Sequence, residues 1–439
     1  MKLLVCFFLF FCGVLNASKV NVFVKNGSWG EVKMLIYEEH FTKHKSIFSM
    51  EKLDTENKAV FDLKVDKPTR FSIEIGRFSS DIFVLPNEDY EFYVYPYEQR
   101  VEIISDDNDN TNDLIDQLEE DLKKYGSNNL TTDFASSSFE LENLEEFIEK
   151  LQRKYRRTGG KFFQRYKFYT IQRYQLDIAK KTQNIGTIDT MLDSIIVLDA
   201  INYQNPSQIE FLKYWHYVKF YGFEYKYGIG EYDRLKAIAR QSKNPELRQL
   251  LELNAIDIAF RGNFDNLHLC GDDLDSISGV ILNDDLDFMA YNLKEKYYKF
   301  SQGARAPSIS YKDNYGSLFN LEDYIGQVVY IGFWTMWNSS SVEDLEQIQK
   351  LKRHFKDDIV FVSILVDNNL ETLKRFLDQK GYDWTFLSTG INSSVKEDCG
   401  INQFPKYMII GTNGDILEPL ADRPSEETLI ELEQIIKAK

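Results

Sequence analysis

Hydrophobic and polar positions alternate along the first hundred residues of the chain. The stretch from Val20 to Val24 begins this alternation, and five further stretches continue it between residues 31 and 95. Turn-forming pairs such as Asn26-Gly27 separate them. A period of two places alternate side chains on one face of a strand. Several short strands at this spacing predict a small β-sandwich domain over residues 18–105.

The period of the hydrophobic positions changes after an acidic segment. Residues 106–113 read Asp-Asp-Asn-Asp-Asn-Thr-Asn-Asp, a composition that predicts a linker. From Leu114 to Phe300 apolar residues recur three and four positions apart, as in residues 141–151. This spacing lines one face of a helix. The pattern therefore predicts an all-α middle domain over residues 106–300.

The last third of the chain alternates between strand-like and helix-like stretches. An apolar strand, a helix, a second apolar strand and a second helix are followed by a hairpin at Asn413-Gly414 and a last helix. The predicted stretches are 328–334, 342–355, 359–366, 370–380, 407–410, 416–417 and the helix that begins at Ser425. This β-α-β-α-β-β-α order predicts an α/β domain over residues 301–439.

Size and charge limit the classes of protein that the chain can belong to. Its 439 residues favour two or three domains, and 43% hydrophobic with 28% charged residues indicates a folded protein. The formal net charge is −17. Nucleic acid and anionic membranes would repel such a surface, so neither is an expected partner.

The N-terminus is typical of an export signal. Met1-Lys2 is a short basic start, Leu3 to Cys12 is an apolar run, and Leu15-Asn16-Ala17 suits signal-peptidase cleavage. The apolar run is too short to span a membrane as a helix. We therefore predict a signal peptide at residues 1–17, a periplasmic or secreted mature protein, and no transmembrane segment after cleavage.

Few cysteines remain once this signal is removed. Cys12 follows the bulky Phe11, whereas a lipid-anchoring signal has a small residue there, so a lipoprotein is not expected. The mature chain retains only Cys270 and Cys399, too few for a disulfide framework. Whether these two are paired or free is left open. No metal-binding or phosphate-binding motif occurs, so no metal and no cofactor are expected.

The segment from Phe333 to Asp344 reads Phe-Trp-Thr-Met-Trp-Asn-Ser-Ser-Ser-Val-Glu-Asp. It resembles the active-site loop of TlpA/ResA-like envelope thioredoxins, related to the AhpC/TSA type, which reads Phe-Trp-Ala-Thr-Trp-Cys-Pro-Pro-Cys-Arg-x-Glu. Asn338 and Ser341 occupy the two cysteine positions. Gly332 stands where many thioredoxins have a buried acid. Further matches are Ala306-Pro307, Asp313-x-x-Gly316, Leu321-x-Asp323-x-x-Gly326, Phe404-Pro405 and Gly411-x-Asn413-Gly414.

The resemblance implies a thioredoxin fold in the last third of the chain but not its usual reaction. In a Cys-x-x-Cys motif the first thiolate attacks and the second cysteine resolves the mixed disulfide. Asn338 has no nucleophile, and Ser341 cannot form a disulfide. We therefore expect no catalytic residue among Asn338, Ser339, Ser340 and Ser341. Ser340 and Glu343 match a capping box, which predicts a helix with Ser340 as its N-cap.

The resemblance also implies a peptide-binding groove. Trp334, Trp337, Phe404 and Pro405 would line it, with Phe404-Pro405 as the cis-proline loop of the family. An N-terminal β-domain and a helical domain before such a module resemble exported thioredoxin-like proteins of the Bacteroidetes. The leading hypothesis is a redox-inactive binding or scaffold protein of the cell envelope, with a protein or peptide client.

Two other hypotheses remain open at this point. The chain could be an atypical thiol-disulfide oxidoreductase that acts through Cys399, with Cys270 as a second thiol. Alternatively, the last domain could be purely structural, with a vestigial groove. Burial of Cys399 as a small apolar residue would disfavour the first of these, because only an accessible thiolate reacts.

Overall fold

The protein is described here from a computed structural model. The structure describes residues 17–27, 29–76, 78–104, 110–129, 137–181, 200–222, 230–262, 267–366, 370–389, 395–401 and 404–437. The predicted signal peptide, apart from its last residue, lies outside the described residues. Residues 106–109 of the predicted linker 106–113 also lie outside them, whereas residues 111–113 are not a linker but the start of a helix.

The chain divides into two compact units. The first contains Met1–Lys226 and Asn244–Leu247, and the second contains Tyr227–Lys243 and Arg248–Lys439. No helix among the described residues combines the length and the apolar composition needed to cross a membrane.

The first unit begins with eight strands that form two four-stranded sheets. The strands are β1 (Ser18–Val24), β2 (Glu31–Tyr37), β3 (Lys45–Lys52), β4 (Lys58–Leu63), β5 (Thr69–Ile75), β6 (Phe78–Val84), β7 (Tyr90–Tyr95) and β8 (Arg100–Ile104). The sheet orders are β4-β1-β7-β8 and β3-β2-β5-β6. Strand pairs are antiparallel except for β1 and β7, which are parallel.

Alternate side chains from both sheets share one hydrophobic core. Val20 and Val22 of one sheet and Phe71 and Ile73 of the other are fully buried in it. The sequence analysis did not predict β3, because apolar and polar residues do not alternate regularly in it. Its apolar residues are exposed, and β3 is an edge strand of its sheet.

A series of helices follows β8 along the chain. Those of the first unit are α1 (Thr111–Asn129), α2 (Ser137–Lys154), α3 (Lys161–Lys181) and α4 (Pro206–Gly222). The later ones are α5 (Glu231–Arg240), α6 (Pro245–Gly262), α7 (Leu267–Ser278) and α8 (Asp284–Lys299). Asn112 of α1 fixes the edge of β6, because its side chain accepts from the Phe83 N–H at 2.6 Å and donates to the Phe83 carbonyl at 2.8 Å.

The C-terminal part of the second unit is a five-stranded mixed sheet with helices. Its strands run in the order β13-β12-β11-β14-β15, and β9 pairs with β10 separately. The strands are β9 (Ser310–Lys312), β10 (Leu318–Asn320), β11 (Val328–Trp334), β12 (Ile359–Leu365), β13 (Thr385–Ser388), β14 (Lys406–Ile410) and β15 (Ile416–Ala421). The helices are α9 (Ser339–Phe355), α10 (Leu370–Lys380), α11 (Val395–Asp398) and α12 (Glu426–Lys437).

Strand β11 is the centre of this sheet and leads into the candidate site. It is parallel to β12 and antiparallel to β14, and every one of its residues is buried. Full burial explains its continuous apolar sequence, because hydrophobic cores cover both faces of the sheet. The predicted α/β order is confirmed, with β9, β10, β13 and α11 as additional elements that the pattern did not indicate.

Candidate functional site

The candidate site is the connection between β11 and α9. The strand ends at Trp334, and the helix begins at Ser339. This connection lies at the end of the central strand of the sheet. Four residues therefore carry the chain from a rigid buried strand to the N-terminus of a 17-residue helix, where backbone N–H groups lack partners within the helix.

Asn338 is the N-cap of α9. Its side-chain oxygen accepts a hydrogen bond from the Ser341 N–H at 3.0 Å. The predicted capping box with Ser340 as N-cap is therefore wrong, since Ser340 already lies inside the helix. Asn and Ser have similar N-cap preferences, and the chain turns into the helix two residues before Ser340.

The same side chain also contacts the loop that contains Pro405. The Asn338 amide Nδ2 donates to the Phe404 carbonyl at 2.9 Å. The Phe404–Pro405 peptide bond is cis, as the resemblance implies. One side chain therefore joins the helix start to the cis-proline loop. In the TlpA/ResA-like active-site loop that this segment resembles, a cysteine occupies the same position.

The three serines of the segment differ in exposure. Ser339 is exposed and Ser340 is partly exposed, whereas Ser341 is fully buried. The Ser341 hydroxyl has no hydrogen-bond partner among the described residues. No histidine or carboxylate within the described structure bonds to it, so nothing activates it as a nucleophile.

The predicted groove residues do not all come together. Trp337 is 73% exposed and lies edge-on to Phe404, with 6.2 Å between ring centroids. Trp334 does not line this surface, because it is fully buried and packs against Phe376 and Phe386. The accessible aromatic pair at the site is therefore Trp337 and Phe404, next to Pro405.

Asp344, one turn into α9, is a buried carboxylate that forms an ion pair with the half-exposed Arg423. Arg423 donates to both carboxylate oxygens, through Nη2 at 2.7 Å and Nε at 2.9 Å. Tyr407 donates to Oδ2 at 2.8 Å. Burial, with the neighbouring carboxylate, raises the pKa of Tyr407, which keeps its phenol protonated as a donor. This bidentate arrangement leaves the carboxylate committed to its partners rather than to proton transfer.

Tyr407 also explains the glycine at position 332. A Cβ at Gly332 would lie 2.7 Å from Cε1 of Tyr407. The tyrosine ring therefore occupies the space that a side chain at this position would need. Sequence analysis identified the missing acid at Gly332 but not Tyr407 and Arg423, because both reach the site through contacts between segments far apart in the sequence.

Cys270 and Cys399 are free and buried. Burial raises the pKa of Cys399 to about 12, and burial likewise raises the pKa of Cys270 to about 12. Cys399 packs in the apolar core beside β14. A buried thiol with a high pKa is a poor nucleophile, so the geometry disfavours redox chemistry at Cys399.

Lys406, the residue after Pro405, is an unusual buried cation. Its Nζ donates to the Gly400 carbonyl at 2.8 Å, and only 6% of the residue is exposed. Burial lowers the pKa of Lys406 to about 8. Sequence analysis did not predict the burial of Lys406. The residue begins a short strand in which every residue is buried.

We predict a pH dependence of stability that comes from Lys406. Its folded-state pKa is about 8, below its ordinary value of 10.5, so between these values the unfolded chain binds more protons. Stability should therefore rise with pH across that window. The free energy of unfolding of the wild type relative to Lys406→Met should increase by about 1 kcal/mol from about pH 7 to 9 in urea titrations.

The exposed Lys374 provides the control for this measurement. Lys374→Met should leave the wild-type pH dependence unchanged. A constant difference between wild type and Lys406→Met at both pH values would contradict the burial of a protonated Lys406.

Comparison with known proteins places the site in a family. The model of the Redoxin family matches residues 301–433. Among named relatives, the thioredoxin-like protein YneN of Bacillus subtilis is 23% identical over 147 residues, which cover 32% of this chain and 85% of that protein. The thiol-disulfide oxidoreductase ResA of Bacillus thuringiensis is 22% identical over 152 residues, which cover 34% of this chain and 84% of that protein.

Two solved structures are also similar to part of the chain. The thioredoxin domain of a thiol-disulfide oxidoreductase from Bacteroides vulgatus is 21% identical and covers 31% of this chain and 98% of that chain, with a TM-score of 0.28. A thiol:disulfide interchange protein from Bacteroides sp. is 20% identical, and the match covers 31% of this chain and 91% of that chain, with a TM-score of 0.29. From the match of the family model, residues 301–433 of this chain form a Redoxin-family domain.

Proposed function

We propose that this chain is an exported thioredoxin-fold protein that binds a protein or peptide client without redox chemistry. The observation that carries the proposal is the double role of Asn338. Its side chain caps α9 and bonds to the Phe404 carbonyl at the place where a thiolate would act. An amide is neither a nucleophile nor a leaving group in thiol-disulfide exchange.

The surroundings of Asn338 support the same conclusion. Ser341 is buried without an activating base. The carboxylate of Asp344 is already occupied by Arg423 and Tyr407. Thiol exchange needs an accessible thiolate and a route for its proton. The described residues of the site provide neither.

The aromatic surface beside Asn338 supports client binding. Trp337 exposes most of its ring next to Phe404, and large aromatic side chains in such positions contribute strongly to binding. The Phe404 N–H has no acceptor among the described residues, whereas the Phe404 carbonyl is taken by Asn338. An extended peptide would accept one backbone hydrogen bond here and bury an apolar side chain against Trp337.

We predict that restoring both sulfurs restores the reaction. The wild-type mature chain should reduce insulin disulfides, with dithiothreitol as electron source, only at the background rate. The double variant Asn338→Cys/Ser341→Cys should exceed that rate, because its first thiolate lies at the N-terminus of α9. Loss of the Asn338 cap should cost about 1 kcal/mol, so circular dichroism must confirm folding.

Cys399 supplies the decisive control for the redox assay. Cys399→Ser should behave like the wild type. Catalysis by the wild type that disappears in Cys399→Ser would overturn the proposal and identify a single-cysteine oxidoreductase. An inactive but folded double variant would show that the site has lost more than its sulfurs.

We also predict that Trp337 supports peptide binding. Insulin B chain with its thiols blocked by alkylation is an extended peptide without reactive sulfur, and its binding should be measurable by calorimetry. Trp337→Ala should weaken binding about tenfold, since it removes the exposed ring of the site. Tyr315→Ala removes another highly exposed ring elsewhere in the second unit and should have no effect. Equal affinities of wild type and Trp337→Ala would reject the groove.

The remaining parts of the proposal concern domains and location. We propose a signal peptide at residues 1–17, a β-sandwich domain at 18–105, a helical domain at 106–300 and a thioredoxin-like domain at 301–439. The positions of β1 to β8, of α1 to α8 and of the final sheet support these boundaries. We infer a periplasmic or secreted mature protein. Mass spectrometry of the exported protein should find a chain that begins at Ser18, and an intact Met1 would contradict export by cleavage.

A further inference from the structure

Helix α8 has two apolar faces, although only one of them is buried. The inward face consists of Leu286, Met289, Ala290 and Leu293. The opposite face exposes Phe288, Tyr291 and Tyr298, which are 36%, 58% and 42% accessible. These residues are three and seven positions apart and therefore form one stripe along the helix. Val280 and Leu282, just before the helix, are also exposed.

The segment before α8 is held rigidly. Gln249 of α6 donates through Nε2 to the Val280 carbonyl at 2.9 Å and accepts from the Leu282 N–H at 3.1 Å. Asn283 then caps α8 by accepting from the Leu286 N–H at 2.9 Å. The exposed apolar side chains are therefore presented by a fixed backbone. Preorganisation of this kind lowers the entropic cost of binding a partner.

Carboxylates border the aromatic stripe. Asp284, Asp287, Phe288, Tyr291 and Lys294 line one shallow groove along α8, next to Ser278 at the end of α7. Lys294 is neutralised by an ion pair with Asp275. The side-chain carboxylates of Asp284 and Asp287 have no ion pair or hydrogen bond in the described part of the chain. The groove therefore combines aromatic faces with uncompensated negative charge.

The acidic residues have a second, structural role that does not account for the aromatic ones. Asp284 and Asp287 lie in the first turn of α8, where negative charge stabilises the helix dipole. That role does not require Phe288, Tyr291 and Tyr298 on the solvent side. Exposed aromatic residues on one face of a helix are typical of an interaction surface, since aromatic residues are enriched where proteins bind one another.

We propose that this face of α8 binds a basic, amphipathic segment of another protein. Aromatic rings attract lysine and arginine side chains through cation–π interactions, and the adjacent carboxylates form charge-assisted hydrogen bonds with them. A symmetric contact with a second copy of the chain would bring Asp284 and Asp287 against the same carboxylates. An anionic membrane surface would be repelled for the same reason. This surface is separate from the groove at Trp337 and does not depend on the function proposed for that groove.

The test uses the full mature chain and a fluorescein-labelled amphipathic peptide of leucine and lysine, about 14 residues long. Fluorescence anisotropy at about 0.15 M salt should show saturable binding. Phe288→Ala/Tyr291→Ala should weaken it about tenfold or more. Asp284→Asn/Asp287→Asn should also weaken it, and the matched peptide of leucine and glutamate should not bind.

Control variants separate the groove from the general charge of the chain. Glu371→Gln/Asp378→Asn makes the same change of charge on exposed positions of α10, and Tyr315→Ala removes a distant exposed ring. Both should bind the peptide like the wild type. Equal losses in the α8 variants and these controls would overturn the proposal. So would anionic-vesicle binding or dimerisation, measured by ultracentrifugation, that the α8 variants abolish.

Discussion

The Asn338 side chain is the contact on which the candidate site depends. Its oxygen accepts from the helix N-terminus and its nitrogen donates to the cis-proline loop, so one amide satisfies two parts of the backbone at once. A thiolate at this position could accept hydrogen bonds but could not donate one. The amide therefore links the helix start to the cis-proline loop, whereas a thiolate would leave the Phe404 carbonyl without this donor.

The network around Asp344 complements this arrangement on the inner side of α9. Arg423 and Tyr407 satisfy the carboxylate, and the Tyr407 ring fills the space beside Gly332. A buried carboxylate would be costly if it lost these partners, because desolvation penalises an unpaired charge. The first two turns of the helix are thus held at Asn338, Arg423 and Tyr407, and none of the three contacts includes sulfur.

The sequence predicted those elements in which the spacing of the apolar residues matches the side chains that are buried. Strand β11, buried on both faces, was readable as an apolar run, but β3 was not, since its apolar residues face solvent. At the site, the local sequence motif identified the connection between β11 and α9 but not the contacts that its side chains make. Asn338 and Ser340 are both good N-caps, and only the path of the backbone decides between them. The Tyr407–Asp344 contact joins residues 63 positions apart, which one sequence cannot reveal.

The surroundings of Ser341 still suit a sulfur atom, although the residue is a serine. Its hydroxyl is fully enclosed and has no partner among the described residues, an unfavourable state for a group that forms strong hydrogen bonds. A thiol would tolerate the same enclosure, because sulfur is a weak donor and behaves as a small apolar group. The pocket at Ser341 therefore suits sulfur better than oxygen, whereas the surroundings of Asn338 suit an amide better than sulfur. The binding that we propose beside Asn338 does not require the sulfur chemistry that the surroundings of Ser341 would accommodate.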